Sequence, residues 1–341
     1  MRPLSLLFGR LLEKRARRYA DGRARSFSLS RPVLSVGNLT VGGTGKTPFV
    51  LHLAERFLAQ GRTPAILSRG YGRASREVVV VSSGEGPRVG PDSGGDEPVL
   101  LATRLPGAIV VVAPRRADAA RAAEAFHPDL FLLDDGFQHL SVRRDLDVLL
   151  LDAADPFGGS RYPPFGRLRE PLSAIRRADA IVFTRAIPGR PTEEALETVK
   201  RWNPDARVWT ARIRPTGLRN TLGAADGPLP GTDFLAVCGI ARPDSFREGL
   251  AELGLSPAQT LVFPDHCRYG RADLARIARA AASTASTAIV TTEKDAVKLD
   301  GRVALPLFAV RIEVELSDPG FFAWISARLS GAEAVGRGGG A

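Results

Sequence analysis

The sequence of 341 residues is poor in cysteine and in aromatic side chains. Its two cysteines, Cys238 and Cys267, lie far apart and form no CxxC pair, so neither a disulfide framework nor a zinc finger is indicated. Aromatic residues make up 7% of the chain, and no basic segment is interleaved with them as in many nucleic-acid-binding surfaces. We therefore expect a reducing cytoplasm and no nucleic-acid partner.

Long apolar runs are also missing. No uninterrupted apolar segment approaches the roughly 18 residues that a membrane-spanning helix needs. The first apolar run is broken by Arg10 and is not followed by a small-residue cleavage site. We expect neither a membrane-spanning helix nor an export signal.

Acidic residues are outnumbered by basic ones. Lysine and arginine total 47 against 37 aspartate and glutamate residues, which gives a formal net charge of +10. Such an excess favours phosphate-rich partners or an anionic membrane surface. Hydrophobic residues at 44% and charged residues at 25% are typical of a folded globular chain, and this length is enough for two domains.

Short apolar runs recur between stretches of helical composition. Because they lack alternation between apolar and polar residues, they predict strands covered on both faces, as in a mostly parallel α/β sheet. The predicted strands are 33–36, 64–68, 108–112, 130–133, 147–151 and 180–183, and then 234–240, 259–264, 288–292 and 305–310. The predicted helices include 48–60 and 115–126, and 84–96 reads as a glycine- and proline-rich surface loop.

This pattern predicts four segments. Residues 1–25 form an N-terminal basic helix, 26–222 the larger α/β core, 223–330 a smaller α/β lobe and 331–341 a disordered tail. The smaller lobe opens with GAADGPLPGTD, which we interpret as the linker.

The stretch LTVGGTGKTPFV, residues 39–50, follows a predicted strand and opens a predicted helix. A nucleotide-binding P-loop needs glycines that let backbone N–H groups wrap phosphate, a lysine for the outer phosphates and a hydroxyl for Mg²⁺. Lys46 and Thr47 supply the last two, although Thr40 stands where the common pattern has glycine. A glycine-rich turn ahead of a helix is the alternative. The candidate nucleotide-binding residues are Thr40, Val41, Gly42, Gly43, Thr44, Gly45, Lys46 and Thr47.

A P-loop enzyme also needs a carboxylate at a strand end to hold Mg²⁺. LFLLDD ends in Asp134 and Asp135, and DVLLLD ends in Asp152. The first pair is favoured because a glycine, a glutamine and a histidine follow in the same loop. A turn or helix cap is the alternative for any single aspartate, and we keep that interpretation for Asp152.

The N-terminal segment predicts an amphipathic helix. Apolar residues at i, i+3, i+4, i+7 and i+8 form one face, and residues 1–25 contain eight basic and two acidic residues. Such a helix lies on an anionic membrane surface or packs on its own domain with a solvated basic side. The apolar positions are Leu4, Leu7, Phe8, Leu11 and Leu12.

Together these motifs resemble one family, the tetraacyldisaccharide 4'-kinases, which phosphorylate a lipid A precursor in Gram-negative bacteria. Thr40 agrees with the family pattern, and the matches run in order from about residue 30 to 300. The matching segments are SVGNLTVGGTGKTP (35–48), LSRGYGR (67–73), GGDEPVLLA (94–102), LLDDGFQH (132–139), RLREPLSAIRRAD (167–179), GIARPDSF (239–246), FPDHCRY (263–269) and VTTEKDAVK (290–298).

The resemblance implies a P-loop NTPase-like fold and transfer of the ATP γ-phosphate, with Mg²⁺, to the 4'-hydroxyl of a tetraacylated glucosamine disaccharide 1-phosphate. It places a peripheral protein at the cytoplasmic face of the inner membrane. Since such an acceptor stays in the bilayer, the resemblance favours membrane docking of the N-terminal helix.

Carried over residue by residue, the resemblance assigns Lys46 to the phosphates and to catalysis. It assigns Thr47, Asp134 and Asp135 to Mg²⁺. The lesser candidates for binding substrate or nucleotide are Arg69, Tyr71, Arg115, Gln138, His139, Arg169 and Glu170.

The resemblance also makes Asp96 and His266 a catalytic dyad of carboxylate and imidazole beside the acceptor hydroxyl. A positioned base suits this reaction, because a sugar hydroxyl is a poor nucleophile. Without the resemblance, Asp96 reads as a helix cap ahead of Glu97 and His266 as a loop residue bonded to Asp265.

Two positions depart from the family pattern. Cys267 stands where the family usually has a second histidine, and RYPPFGR replaces LLPAGP ahead of LREP. The alternative function is a P-loop switch or metallochaperone-type NTPase that hydrolyses nucleotide to control a partner. TTEKD at 291–295 is only a distant echo of the NKxD motif that such a protein would carry.

Overall fold

The computed structural model describes residues 2–186, 191–221 and 233–337. Within these residues the helices are α1 (Arg2–Ala20), α2 (Lys46–Ala59), α3 (Pro91–Gly94), α4 (Asp96–Arg104), α5 (Arg116–Glu124), α6 (Glu193–Trp202), α7 (Pro243–Glu252), α8 (Arg271–Ser283), α9 (Glu293–Leu299) and α10 (Gly320–Arg337). The strands are β1 (Val33–Asn38), β2 (Pro64–Ser68), β3 (Val79–Ser83), β4 (Ile109–Val112), β5 (Leu130–Asp134), β6 (Leu146–Asp152), β7 (Ala180–Thr184), β8 (Arg207–Asn220), β9 (Phe234–Cys238), β10 (Gln259–Val262), β11 (Ala288–Thr292) and β12 (Leu307–Leu316).

The strands of the described residues form one sheet in the order β10-β9-β11-β12-β8-β7-β6-β1-β5-β2-β4-β3. Neighbouring strands are parallel except at β3–β4 and at the long β8–β12 pair. Strand β1 is central, with Leu34 opposite Leu132 of β5 and Leu146 of β6. The loop after β1 is therefore flanked by the loops after β5 and β6.

The antiparallel β8–β12 pair reverses the direction of the sheet. Strands β9, β10 and β11 consequently run opposite to the strands around β1. Nevertheless, Arg242 after β9 contacts Asp152 at the end of β6, and His266 after β10 contacts Asp96. The sheet therefore curls so that its two carboxyl edges face each other across a cleft.

Apolar side chains of the central strands enter cores on both faces of the sheet. Leu34 and Val36 of β1 join one core with side chains from α2, α4 and α10, while Val33 joins a second core with the alanines of α5. Strands β1, β5, β6 and β7 are buried along their whole length. This burial explains their apolar runs and confirms the predicted α/β fold with a mostly parallel sheet.

Each predicted strand matches an observed strand to within a few residues, apart from the late start and long extension of β12. Strands β3 and β8 were not predicted. Strand β8 mixes buried, half-buried and exposed positions, so it lacks the continuous apolar run that marks the other strands. The predicted loop 84–96 contains α3 and the first residue of α4.

Nearly all of the predicted linker, residues 223–232, and the end of the predicted tail, residues 338–341, lie outside the described residues. Helix α10 includes residues 331–337 of the predicted tail, and the disorder of that tail stays a prediction. The boundaries at 26 and 223 stay predictions. None of the described helices combines the length and apolar character needed to cross a membrane.

Candidate active site

The glycine-rich segment forms a tight loop between β1 and α2. Gly45 has φ +81°, a left-handed conformation that glycine adopts without strain, and Lys46 follows as the first residue of α2. Thr44 is held from both sides: its hydroxyl accepts a hydrogen bond from Asn38 Nδ2 at 2.8 Å, and its carbonyl accepts one from Thr184 Oγ1 at 2.8 Å. The loop therefore presents backbone N–H groups at a helix N-terminus, where phosphate binds well.

Lys46 points toward the carboxyl end of β5. Its Nζ lies 3.5 Å from Asp135 Oδ1, and Arg169 Nη1 donates to both Asp135 oxygens at 2.8 and 2.7 Å. Burial alone would raise the pKa of Asp135, but Lys46 and Arg169 outweigh it and lower that pKa to about 2. Asp135 is thus an anion that holds two cations beside the loop.

Asp134 has a different environment from its neighbour. It is 2% exposed, and its Oδ2 accepts a hydrogen bond from Ser68 Oγ at 2.8 Å. Burial, followed by the charge of Asp135, raises the pKa of Asp134. No cation of the described residues lies within ion-pair distance of its carboxylate, so this group is the member of the pair that gains most from a bound cation.

Asp96, the first residue of α4, is buried. Its Oδ2 lies 3.0 Å from His266 Nδ1 and 3.5 Å from Lys298 Nζ, while its Oδ1 accepts the Glu97 N–H at 3.0 Å. Burial raises the pKa of Asp96, but the hydrogen bond and charge of His266, with Lys294 and Lys298, bring it to about 2. The predicted pair is in contact, whereas the N-cap of α4 is Gly95 and not Asp96.

His266 lies in the loop after β10 with φ +57°. The hydrogen bond that His266 donates to Asp96 raises the pKa of His266, and burial opposes that effect. The Tyr71 ring packs beside the imidazole with centroids 4.9 Å apart. Asp265 accepts the His266 N–H at 3.0 Å and pairs with Lys294 at 2.6 Å, so the loop contact expected from sequence is present as well.

Glu97 was missed as a site residue by the sequence interpretation. Burial, then the charges of Asp134 and Asp96, raise its pKa to about 7, and Lys294 and Lys46 oppose this shift. Its carboxyl group is therefore close enough to sense both the dyad and the carboxyl end of β5. The signal in the sequence was the pair of adjacent acidic residues, Asp96 and Glu97, in the segment GGDEP.

Lys294 and Lys298 were also missed. They are four residues apart on α9 and face the dyad together, and Lys298 is 8% exposed, between Asp96 and Asp295. Lys298 lies 3.1 Å from Asp295 Oδ1. The buried cation keeps Asp96 ionised and fixes its direction.

Some of the lesser candidates lie at the cleft. Tyr71 is 67% exposed beside His266, and Arg69 is exposed near the same edge. Gln138 Nε2 donates to the Asn38 carbonyl at 2.8 Å, which supports the end of β1. Burial, then Arg116, lowers the pKa of His139 to about 3, so its imidazole is neutral.

Two other candidates have structural partners. Glu170 is 4% exposed and accepts a hydrogen bond from Arg177 at 2.6 Å. Arg115, just before α5, is exposed, and its Nε donates to Asp118 Oδ2 of α5 at 2.7 Å. Neither side chain contacts the dyad or Lys46 in this conformation.

Asp152 is more than the turn cap that the sequence suggested. Its Oδ1 accepts the Ala154 N–H at 3.0 Å, as a cap does. Its Oδ2 accepts hydrogen bonds from Arg185 at 2.8 Å and from Arg242 at 2.6 Å. Arg242 is 90 residues away in sequence, so no local pattern could reveal this cluster.

The oxygen groups near Lys46 fit Mg²⁺ as part of a nucleotide complex. Thr47 lies in the first turn of α2, and Asp134 and Glu97 are carboxyl groups whose pKa values are raised by burial. No group of three or more His, Cys, Asp or Glu in the part of the chain that the structure describes forms a metal cage. Mg²⁺ does not need one, since it is usually held by one or two carboxylates with phosphate and water.

Comparison with known proteins identifies the family of this chain. The family described as tetraacyldisaccharide-1-P 4'-kinase matches residues 1–330. A tetraacyldisaccharide 4'-kinase from Geobacter sulfurreducens is 41% identical over 321 residues, covering 92% of this chain and 88% of the relative. One from Anaeromyxobacter dehalogenans is 42% identical over 308 residues, covering 87% and 81%. The crystal structure of LpxK from Aquifex aeolicus in complex with ATP has a TM-score of 0.77 at 32% identity and covers 96% of this chain and 97% of its own.

Proposed function

The chain belongs to the tetraacyldisaccharide-1-P 4'-kinase family, and we propose that it transfers the γ-phosphate of ATP to the 4'-hydroxyl of a tetraacylated glucosamine disaccharide 1-phosphate in lipid A biosynthesis. The names of its relatives support the reaction and the acceptor. The ATP complex of the Aquifex aeolicus protein supports ATP as the phosphate donor. The chain is accordingly a phosphotransferase with an alcohol group as acceptor.

The observation that carries the proposal is the contact between Asp96 and His266 close to Lys46, since the Glu97 carboxyl group senses the charges of both Asp96 and Lys46. A hydroxyl that attacks phosphorus must lose its proton, and the dyad is the proton acceptor. Asp96 is 6% exposed and already bonded through Oδ2, whereas the His266 side chain is 25% exposed. His266 is therefore the more accessible member, and Asp96 orients its ring and stabilises the positive charge that it gains.

Lys46 stabilises the charge of the transferred phosphoryl group. Phosphoryl transfer depends mainly on positioning and on electrostatic stabilisation of the phosphate oxygens. Asp135 holds the ammonium group of Lys46 at 3.5 Å, and Arg169 fixes Asp135 through two bonds. When a phosphate binds, Lys46 exchanges the Asp135 carboxylate for the phosphate group as its anionic partner.

We assign the Mg²⁺ of the nucleotide complex to Thr47 and Asp134, with Glu97 nearby. When bound, the ion supplies positive charge to the phosphate oxygens. Asp134 rather than Asp135 is the direct carboxylate ligand in this proposal, because both oxygens of Asp135 are bonded to Arg169. Glu97, whose pKa is raised to about 7 by burial, would be favoured in its ionised form by a cation bound there.

Docking of α1 on the cytoplasmic face of the inner membrane completes the proposal, since an acceptor with four acyl chains stays in the bilayer. Leu11, on the predicted apolar face, is 57% exposed. One turn further along the helix, Arg15 Nη2 donates to the Gln138 carbonyl at 3.1 Å, so the helix lies beside the loop after β5. Membrane contact through α1 would bring the cleft to the headgroups.

The alternative, a switch NTPase that hydrolyses nucleotide to control a partner, is not favoured. It gives no role to a base opposite the P-loop, and the family assignment names a kinase. Binding to nucleic acid would rest on net charge alone.

The test is transfer of radiolabelled γ-phosphate from ATP, with Mg²⁺, to detergent-dispersed tetraacyldisaccharide 1-phosphate. We expect label in the lipid with the wild-type protein and a loss of roughly a hundredfold or more with Lys46→Ala. Arg56→Ala is the matched control, because it removes a basic side chain at the other end of α2. Release of labelled phosphate to water at the same rate with and without lipid would instead indicate the switch NTPase.

A further inference from the structure

The two flanks of the P-loop differ in chemistry. On the β5–β2 flank lie Asp134, Tyr71 and the dyad. On the β6–β7 flank lie Asp152 at the end of β6, Arg185 just after β7, and Arg242, which reaches across the cleft from the loop after β9. Strands β2 and β7 are separated by three strands, so the flanks are roughly 19 Å apart at the usual strand spacing.

In-line phosphoryl transfer places the acceptor oxygen and the leaving oxygen on opposite sides of the transferred group. The dyad marks the acceptor side. The remaining phosphates and the nucleoside must therefore extend toward the β6–β7 flank. The side chains on the β6–β7 flank are therefore positioned to contact the nucleotide.

Arg185 is held in place at this flank. Its backbone has φ +55°, a conformation that costs energy for a residue other than glycine and is often found at functional sites. The preceding residue, Thr184, bonds the Thr44 carbonyl of the P-loop. A Cβ placed on Gly43 would lie 3.8 Å from Arg185 Nη2, so the guanidinium group borders the loop.

Asp152 orients both arginines. Its side chain is 5% exposed, and the same oxygen accepts hydrogen bonds from Arg185 and from Arg242. One carboxylate does not neutralise two guanidinium groups, and Glu248 adds only a weaker opposing charge near Arg185. Each arginine keeps further N–H donors, and Arg242 is 44% exposed on the cleft.

We propose that Arg185 and Arg242, oriented by Asp152, bind the polyphosphate chain of the nucleotide on the β6–β7 flank of the P-loop. Planar guanidinium groups match phosphate oxygens through paired hydrogen bonds. Arg242 belongs to the loop after β9, so nucleotide binding also ties the C-terminal strands to the P-loop. The inference rests on the proposed kinase function for its donor and acceptor sides.

The test compares Arg185→Ala and Arg242→Ala with the wild-type protein by calorimetric titration of Mg²⁺-ADP and of a non-hydrolysable Mg²⁺-ATP analogue. Each variant leaves Asp152 one arginine partner, so the carboxylate stays paired and the fold is retained, which thermal melting checks. Loss of a charged hydrogen bond predicts affinities for both nucleotides lower by roughly ten- to a hundredfold. Arg247→Ala, an exposed arginine on α7 paired with Asp244, is the matched control and should bind normally.

The acceptor also carries a phosphate, so KM values for ATP and for the lipid are measured in the transfer assay. We expect a higher KM for ATP and an unchanged KM for the lipid. Unchanged affinity for both nucleotides, or an increase confined to the lipid KM, would overturn the assignment. The titrations need no lipid, so they can be interpreted even if transfer to this acceptor fails.

Discussion

Replacing Asp96 with asparagine tests the catalytic dyad most selectively. The asparagine side chain has nearly the same shape as that of aspartate, and its amide oxygen can still accept a hydrogen bond from His266. It carries no negative charge, however, and so does not stabilise an imidazolium ion. Lys298 keeps Asp295 at 3.1 Å as a partner, so the substitution leaves no buried cation unpaired. The P-loop is not altered, and ATP binding should persist.

The expected magnitude follows from the role of the dyad. Removing general-base assistance lowers a rate by roughly 10²- to 10⁴-fold, which corresponds to about 3–5 kcal/mol in activation free energy. We expect this loss in kcat for lipid phosphorylation, with the KM for ATP changed by less than about threefold.

The assay is steady-state transfer of labelled phosphate, run with thermal melting to confirm the fold. The matched control is Asp265→Asn, which changes the neighbouring carboxylate that is 37% exposed and bonded to Lys294. It should cost far less activity than Asp96→Asn. A folded Asp96→Asn protein with kcat within about threefold of the wild type would refute the base assignment.

Three further predictions follow from named contacts. The pKa of His266 is raised above its usual value of 6.5 by its contact with Asp96. The His266–Asp96 ion pair therefore stabilises the folded protein below pH 6.5, and this stabilisation is lost as the pH rises through the raised pKa. His266→Gln should accordingly lower the melting temperature more at pH 6 than at pH 9. Because the deprotonated dyad accepts the proton, kcat/KM for the lipid should rise with pH through the same raised value, whereas a flat profile would argue against it. Leu11→Glu should reduce co-sedimentation with anionic vesicles several-fold, while Leu11→Phe should not.

Much of the fold is readable from sequence because its strands are buried on both faces. The apolar runs of β1, β5, β6 and β7 have that origin, and the GKT tripeptide marks the strand-to-helix junction that follows β1. Strand β8 was not predicted, because it is partly exposed and contains polar residues in place of a continuous apolar run.

The site was predictable where a motif lies in one loop and not where it depends on chain segments that meet only after folding. Glu97 acquires its raised pKa from burial and then from the charge of Asp134, neither of which is visible in GGDEP. From the sequence, Asp152 is interpreted only as a cap, because its contact with Arg242 forms only in the folded protein. Asp96 and His266, 170 residues apart, were paired only through a family resemblance.

The most direct test of the central claim is the position of the phosphate in the product. Wild-type protein would be incubated with Mg²⁺-ATP and tetraacyldisaccharide 1-phosphate, and the purified lipid analysed by ³¹P NMR and tandem mass spectrometry. The account predicts one new phosphomonoester on the 4'-hydroxyl with the 1-phosphate retained. Phosphate at another hydroxyl, or unmodified lipid with phosphate released to water, would contradict it.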